Sequence, residues 1–464
     1  MLTRSATRLA AALWAIGPCA AICAPAWAEV PVMPTLSQPE GAAKPYGSTD
    51  PDVANLAKFG YVQDEVFISG KIAGGLPYTT RLLVRRPVDP KKFSGVVVAE
   101  SIRSSGVRIL WTEARYLMAR GHAFVEIGSN LSVNTLVKPS NPTRYAGLNV
   151  PNPTPGKLVF GHVQDIAAQA GLLLKSNLPH GPFKDMPVRH LVLGGCSEQG
   201  MFVRLYMRDS HAKFRMPNGK SIYDGYFPAC VADWPPILGH EDGTPLANFT
   251  QPAVEVPTIM LATSEPEGFP QDGRRYRRPD SDAPGDKFRL YEVAAMPHGL
   301  DFRAFAALFP KTLQCNGKAE QRSDFIGAYP ANNALDKLIR WVTKGTPPPR
   351  GARLEVASAS GPLVKDQFGN PKGGVRTTQL DVPVAAYHLC DTGKVSVINP
   401  VGIDFGAAYM VPFTPERLKA LYPTPKAYVD KVGARLNQLV KQGWYLPEDA
   451  AEVRAAAVEF AKKL

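Results

Sequence analysis

Long apolar runs are missing from the sequence after its first 28 residues, and this absence argues against an integral membrane protein. Those first residues carry two arginines, an apolar run from Leu9 to Ile22 and the small-residue segment Ala26-Trp27-Ala28. The pattern is typical of a secretory signal peptide cleaved after Ala28. A membrane anchor is the alternative, but the run is short and Gly17-Pro18 interrupts it. We therefore expect a periplasmic or extracellular protein.

Cysteine is scarce, and its spacing does not suggest a metal site. The sequence has six cysteines, of which four follow the predicted signal peptide: Cys196, Cys230, Cys315 and Cys390. No two of these four have the close spacing of a zinc site, and no other cofactor is implied. In an oxidising compartment the four could form two disulfides in any of three pairings.

Positive charge is abundant, but no long basic run is present. The formal net charge of +12 falls to +10 without the two arginines of the signal peptide. Short clusters occur at Arg85-Arg86 and at 274–278, and the other basic residues are scattered. We therefore expect no nucleic-acid partner, while the oligomeric state is not predicted.

Strand-like and helix-like patterns alternate along most of the chain. Helical spacing at 109–119, 160–175, 199–207 and 332–343 separates short apolar runs, which lie at 93–99, 122–127, 191–193, 226–229, 258–262 and 288–293. Such alternation with short connections predicts an α/β fold with a mostly parallel sheet and helices on both faces. Before it, Val62–Ile72 and Leu76–Arg86 predict a hairpin of two exposed strands. Residues 129–156, rich in Asn and Pro, predict a lid or surface excursion.

The segment Leu191–Gly200 predicts a sharp turn from a strand into a helix. It reads LVLGGCSEQG, with Ser197 after an apolar run that ends in glycines. This is the pattern of a nucleophile elbow, in which a strained turn projects the serine hydroxyl above the sheet. Gln199 stands where the motif has its second glycine, so an ordinary glycine-rich turn is the alternative. Together with the initial hairpin, the turn narrows the prediction to an α/β-hydrolase fold.

Three regions follow from these patterns. Residues 1–28 are the predicted signal peptide and 29–350 the α/β-hydrolase core. Residues 351–464 form a C-terminal extension, first β-rich with many glycines and then helical from 417 onward.

A serine nucleophile needs a general base and an acid that orients the base, since its free hydroxyl is weakly nucleophilic. In this fold the chain order is serine, acid, histidine. The histidines after Ser197 are His211, His240, His298 and His388. His298 is preferred as the base because it lies in the loop after the last predicted sheet strand.

The predicted acid follows the strand at 258–262, where two carboxylates are available. We prefer Glu267 for its distance past the strand and keep Glu265 as the alternative. The oxyanion hole needs two hydrogen-bond donors. The backbone amide of Glu198, directly after the nucleophile, is one. The loop at 101–104 should supply the other, for which the amide of Arg103 is preferred.

With these residues assigned, nearly the whole chain after the signal peptide resembles the bacterial alpha/beta hydrolase domain-containing family, whose members are often secreted. The resemblance is carried by distinctive segments: Val96–Gly106, Arg120–Phe124, Asp165, Tyr223–Gly225, Tyr291–His298, Arg340–Pro348, Gly369–Arg376 and Leu421–Pro423. The family's elbow is similar to G-x-S-x-S-G, which Gly195–Gly200 matches with Gln199 in the penultimate place. Its acid segment resembles Ser-Glu-Thr-Asp, which implies Glu267 in the Asp position, with Glu265 retained. Arg103 stands where relatives carry Asn.

A second, local resemblance concerns the cysteine before the serine. Gly195-Cys196-Ser197 is similar to glucuronoyl esterases and to the tannase and feruloyl esterase group, in which that cysteine is bridged. The tannase pattern is incomplete because no cysteine adjoins His298. If Cys196 is bridged, Cys230 is the preferred partner, since it ends the next strand at the same edge, which leaves Cys315 with Cys390.

The sequence therefore predicts a secreted serine hydrolase, most simply a carboxylesterase that works through an acyl-enzyme. Its substrate would be a small-molecule or saccharide-linked ester. Two alternatives remain open: a non-catalytic binding protein with a degenerate elbow, and an acyltransferase that uses the same triad.

Overall fold

Within the described residues, ten strands form one sheet with a parallel centre. The computed structural model describes residues 28–41, 43–47, 56–103, 114–152, 161–230, 251–263, 276–298, 311–315, 317–359, 361–390 and 408–464. In chain order the ten strands are β1 (Thr35–Ser37), β2 (Tyr61–Lys71), β3 (Pro77–Pro87), β4 (Val96–Ser101), β5 (Ala123–Ile127), β6 (His190–Cys196), β7 (Gly225–Ala229), β8 (Thr258–Ala262), β9 (Ser281–Ala283) and β10 (Asp286–Glu292). They lie in the order β1-β2-β3-β5-β4-β6-β7-β8-β10-β9.

Strands β5, β4, β6, β7, β8 and β10 run parallel to one another, whereas β1, β2, β3 and β9 pair antiparallel at the two edges. This confirms the predicted mostly parallel sheet with a hairpin at its start. Because the central strands are parallel, the loops that follow β4, β6, β8 and β10 leave the sheet at one common edge.

Helices cover both faces of the sheet. Those of the described residues are α1 (Ala114–Ala119), α2 (Lys138–Ser140), α3 (Gly161–Lys175), α4 (Glu198–Asp209), α5 (Ala328–Lys344), α6 (Thr378–Asp381), α7 (Pro415–Leu421), α8 (Pro425–Lys441) and α9 (Pro447–Ala461). Successive side chains of a strand point to opposite faces. Accordingly Val97 packs in the core that includes α3 and α4, whereas Val98 packs with α1 and α5. No helix in the described ranges has both the length and the apolar character to cross a bilayer.

The predicted hairpin is present as β2 and β3, but the expected exposure of its strands is wrong. Leu82, Leu83 and Val84 are fully buried. The reason is that β3 is an interior strand, placed between β2 and β5. Burial extends to charge, since Arg81 pairs with Glu65 on β2 at 2.8 Å and with Glu126 on β5 at 2.6 Å.

The expectation of a surface excursion after β5 is also wrong for its described part, residues 129–152. Tyr145 and Leu148 are fully buried there. The Tyr145 hydroxyl donates to Glu65 at 3.0 Å and accepts from the Tyr46 amide at 2.8 Å. Apolar residues between the Asn and Pro residues therefore pack this segment against β2. The prediction was wrong because it rested on the Asn and Pro content and not on the positions of these apolar residues.

The described residues also form a second, smaller sheet of four antiparallel strands. It consists of β11 (Thr312–Cys315), β12 (Lys318–Arg322), β13 (Ala385–Leu389) and β14 (Ala408–Pro412), in the order β11-β12-β14-β13. Helices α8 and α9 pack against each other through an apolar cluster that includes Leu436 and Ala457. The predicted β-rich and helical extension is thus confirmed, while the division of the chain at residue 350 stays a prediction.

Candidate active site

Ser197 lies at the common edge of the sheet, where β6 turns into α4. Its backbone has φ 64° and ψ −124°, a conformation that residues with a side chain rarely adopt. The Ser197 amide donates to the carbonyl of Ala229, at the end of β7, at 3.0 Å. The Ser197 carbonyl accepts from the Met201 amide at 2.9 Å, as the first bond of α4. The neighbouring strand and helix thereby hold the strained turn in place.

Gly195 and Gln199, on either side of the turn, explain how the motif tolerates glutamine in place of its second glycine. A Cβ at position 195 would lie 2.5 Å from the Gln199 Cβ and 2.6 Å from its carbonyl carbon, so strand and helix require glycine there. Gln199 is fully buried. Its Nε2 donates to the carbonyl of Ile102, in the loop after β4, at 2.8 Å. The larger side chain therefore points into the neighbouring loop, where it is hydrogen-bonded.

His298 reaches the serine from the loop after β10. Its Nε2 lies 2.6 Å from the Ser197 Oγ, a distance at which the serine hydroxyl donates to an unprotonated ring nitrogen. Ala295, in the same loop, has a positive φ of 59°. The sheet thus brings the predicted nucleophile and the predicted base into direct contact, although 101 positions separate them in the sequence.

The C-terminal extension supports the strand that carries the histidine loop. Val375 forms a parallel bridge with Val293, and its amide donates to the Glu292 carbonyl at 2.7 Å. The buried Glu292 side chain accepts from the Leu354 amide at 2.7 Å and pairs with Arg277 at 2.6 Å. The end of β10 is therefore fixed through both its backbone and its side chain.

Both disulfides that the sequence favoured are formed. Cys196, the residue before the nucleophile, is bonded to Cys230 after β7. Cys315 at the end of β11 is bonded to Cys390 after β13. The first disulfide joins the carboxyl ends of two adjacent parallel strands next to the serine, and the second cross-links the small sheet.

Arg103 and Glu198, the two predicted oxyanion residues, lie on either side of Ser197. Glu198 is the first residue of α4, so its amide belongs to the helical turn whose N–H groups lack partners within the helix. The Arg103 Nη2 atom lies 3.4 Å from the Ser197 Oγ. It is the guanidinium of Arg103 that makes this contact, whereas the sequence suggested its backbone amide.

The other candidate acids and histidines either lie away from Ser197 or fall outside the described residues. Glu265 and Glu267 fall outside the described residues, as does His240. His211, two residues after α4, is buried between the Tyr226 hydroxyl at 2.8 Å and Glu255 at 2.7 Å. The hydrogen bond from His211 lowers the pKa of the Glu255 carboxyl. His388 stacks on Tyr409 in the small sheet.

Sequence reasoning missed the contacts that fix the loop after β4. The Ile102 carbonyl accepts from Gln199 and also from the Asn130 Nδ2. The Ile102 amide donates to the Ile127 carbonyl at 2.9 Å. Gln199 in a glycine position was the available signal for this network, whereas Asn130 belongs to the segment expected on the surface.

Comparison with known proteins identifies one family across most of the chain. A family model described as "Alpha/beta hydrolase domain" matches residues 29–455. This match and the strand order confirm the predicted α/β-hydrolase fold. No curated protein matches the chain.

Solved structures of similar fold include several esterases. Brefeldin A esterase, described as a bacterial homologue of human hormone-sensitive lipase, is 12% identical over 41% of this chain and 43% of its own, with a TM-score of 0.23. The esterase Est22 is 12% identical over 46% and 68%, with a TM-score of 0.27. A thermostable esterase from Pseudomonas putida is 15% identical over 41% and 53%, with a TM-score of 0.23. The chain thus matches less than half the length of the first of these.

Proposed function

Because the chain belongs to the alpha/beta hydrolase domain family, we propose that it is a secreted serine hydrolase that cleaves carboxylic esters through an acyl-enzyme. One observation carries the proposal: the 2.6 Å contact between the Ser197 Oγ and the His298 Nε2, at a serine with positive φ. A serine becomes a nucleophile only with such a base beside it. A degenerate elbow in a binding protein has no need of this contact.

In the proposed reaction, Ser197 Oγ attacks the ester carbonyl carbon and its proton passes to His298 Nε2. The π electrons of the carbonyl move to its oxygen and form a tetrahedral oxyanion. When this collapses, the bond to the alcohol breaks, and His298 returns the proton to the leaving oxygen. Water then repeats the sequence on the acyl-enzyme, with His298 again as general base, and releases the acid.

The orienting acid is proposed to be Glu267, with Glu265 as the second choice. Both follow β8, whose register with β10 pairs Leu261 with Tyr291 and Ala262 with Glu292. The loops after β8 and β10 therefore start side by side at one edge. This supports a carboxylate from residues 265–267 as the partner of the His298 ring, because a base needs an acid that fixes its tautomer.

Secretion is supported by the disulfides. Two disulfides between four cysteines fit an oxidising compartment, because disulfides form and persist there. The buried position of Cys196 beside the nucleophile fits a structural bond better than an exposed catalytic pair. Both observations support a periplasmic or extracellular location.

Hydrolysis of a small activated aryl ester tests the proposal. Ser197→Ala should reduce kcat by about 10⁴-fold or more, since triad members act as one unit. Ser358→Ala, which changes an exposed serine in the extension, is the matched control and should keep full activity. Equal thermal unfolding of the two variants excludes misfolding.

Two results would contradict the proposal. Undiminished hydrolysis by Ser197→Ala would place the activity elsewhere. Stoichiometric acylation of Ser197 without release by water, but with release by added alcohols, would identify an acyltransferase.

A further inference from the structure

The side chain of Arg103 is a buried charge directed at the nucleophile. Arg103 follows β4 by two residues and is 6% exposed. Its Nη2 donates to the Ser197 Oγ at 3.4 Å, while the same oxygen lies 2.6 Å from the His298 Nε2. The serine oxygen thus has the base on one side and the guanidinium on another.

The position of this arginine is fixed by its neighbour in the chain. The carbonyl of Ile102 accepts hydrogen bonds from two buried side-chain amides, those of Gln199 and Asn130. Its amide is bonded to β5. The amide and the carbonyl of Ile102, the residue before Arg103, are therefore both hydrogen-bonded, and this part of the loop cannot rotate without breaking several hydrogen bonds. Such preorganisation is what catalysis by a charged donor requires.

The Arg103 guanidinium is charged and has N–H groups that can donate further hydrogen bonds. Burial lowers the pKa of Arg103, whereas the nearby carboxylates of Glu198 and Glu100 raise it. An arginine nonetheless stays protonated at all ordinary pH values. Among the described residues its buried Nε has no hydrogen-bond partner. A buried charge with spare donors is costly, and such a cost is typical of functional sites.

We propose that the Arg103 guanidinium, together with the Glu198 amide, binds the oxyanion of the tetrahedral intermediate. The inference rests on the proposed hydrolase function. The oxyanion and the Ser197 Oγ are attached to the same carbon in that intermediate, so a donor next to the Oγ is also close to the oxyanion. The ideal donor distance to the oxyanion is about 2.7–3.1 Å, so the proposal requires the guanidinium to approach more closely than in its 3.4 Å contact with the Oγ.

A charged donor at this place has a clear electrostatic purpose. The negative charges of Glu198 and Glu100 act on Arg103 and favour its charged form. A charged donor forms a stronger hydrogen bond to a developing oxyanion than a neutral backbone amide does. Throughout the reaction Arg103 keeps its protons, and only its hydrogen bonds strengthen as the oxyanion forms.

The test compares two aryl esters, an uncharged aryl acetate and the aryl hemisuccinate that carries a carboxylate. Arg103→Met should lower kcat by about 10²–10³-fold on both esters, with KM nearly unchanged, because the lost interaction exists only in the transition state. Arg103→Lys, which keeps the charge but not the planar fork, should fall between Met and wild type. Arg340→Met, which removes an exposed arginine, is the control and should match wild type.

A third variant tests the positioning of Arg103. Gln199→Leu keeps the volume but removes the bond to the Ile102 carbonyl. It should lower kcat without raising KM, and it should cause no further loss once Arg103 is Met. A purely structural role would instead give additive losses in the double variant.

Two outcomes overturn the proposal. If Arg103→Met keeps kcat within about threefold of wild type on both esters, the guanidinium does not contact the oxyanion. If the loss is confined to the hemisuccinate and lies in KM, Arg103 recognises a substrate carboxylate. Should the Met variant not fold, as judged by thermal unfolding, Arg103→Lys and Gln199→Leu decide by the same criteria. Failure of the wild type to hydrolyse either ester contradicts the proposed function itself.

Discussion

Backbone strain among single residues is concentrated around the proposed site. Of the four non-glycine residues with positive φ in the described ranges, three lie at the carboxyl edge of the parallel strands: Ser197, Cys230 and Ala295. Each such conformation costs about 1–3 kcal/mol. The strained residues are the nucleophile, the disulfide partner of the preceding Cys196, and a residue of the histidine loop. This is the distribution expected of a catalytic site.

A residue-scale prediction concerns His122, directly before β5. Burial, aided by the charge of Arg120, lowers its pKa to about 4. Its Nδ1 lies 2.7 Å from the Ser94 Oγ. The ring is neutral in the fold, whereas in the unfolded chain it gains a proton near its ordinary pKa. Its effect on stability is therefore constant above pH 6.5, and stability is lost as the pH falls from there towards 4.

His122→Asn should remove this dependence, since Asn can still bond Ser94 but does not titrate. Between pH 6 and 4.5 the free energy of unfolding should fall less steeply than in wild type, by up to about 1.4 kcal/mol per pH unit. Urea unfolding at several pH values measures the slope. His180→Asn, at an exposed histidine, is the control. An identical slope in wild type and His122→Asn would contradict the prediction.

At the scale of elements, the two disulfides should have different roles. The bond between Cys196 and Cys230 joins the ends of β6 and β7 beside Ser197, whereas that between Cys315 and Cys390 cross-links the small sheet. Removal of either should cost about 2–4 kcal/mol of stability. Only the first should also displace the nucleophile, and a displacement of this kind lowers kcat by about 10²-fold.

The paired variants Cys196→Ala/Cys230→Ala and Cys315→Ala/Cys390→Ala separate these effects. Steady-state hydrolysis below the unfolding transition gives kcat, and thermal unfolding gives stability. Each double variant is the control for the other. Equal losses of kcat in both, or full kcat in the first, would show that the elbow does not depend on its disulfide.

For the whole molecule, the mostly parallel sheet and the proximity of Ser197 to His298 could be predicted from the sequence. Apolar runs and glycines mark the strands, and parallel strands bring their following loops to one edge. The chain order leaves four histidines after the serine, and the position after the last predicted sheet strand then selects His298. The catalytic roles of these residues, and of Glu267 or Glu265, stay predictions.

What the sequence could not provide are contacts between distant side chains. The burial of Arg81 on β3 depends on its ion pairs with Glu65 on β2 and Glu126 on β5. No local sequence pattern predicts these pairs. The same holds for Val375, which joins the end of β10 from the extension. Long-range hydrogen bonds of this kind are decided by packing, which a single sequence does not display.

The central claim, that Ser197 is an activated nucleophile, is tested most directly by reaction with a fluorophosphonate. We predict one adduct per folded molecule, located by mass spectrometry of the peptides on Ser197 and absent from Ser197→Ala. An unmodified Ser197 in the folded wild-type protein, at probe concentrations that saturate a known serine esterase, would contradict the account.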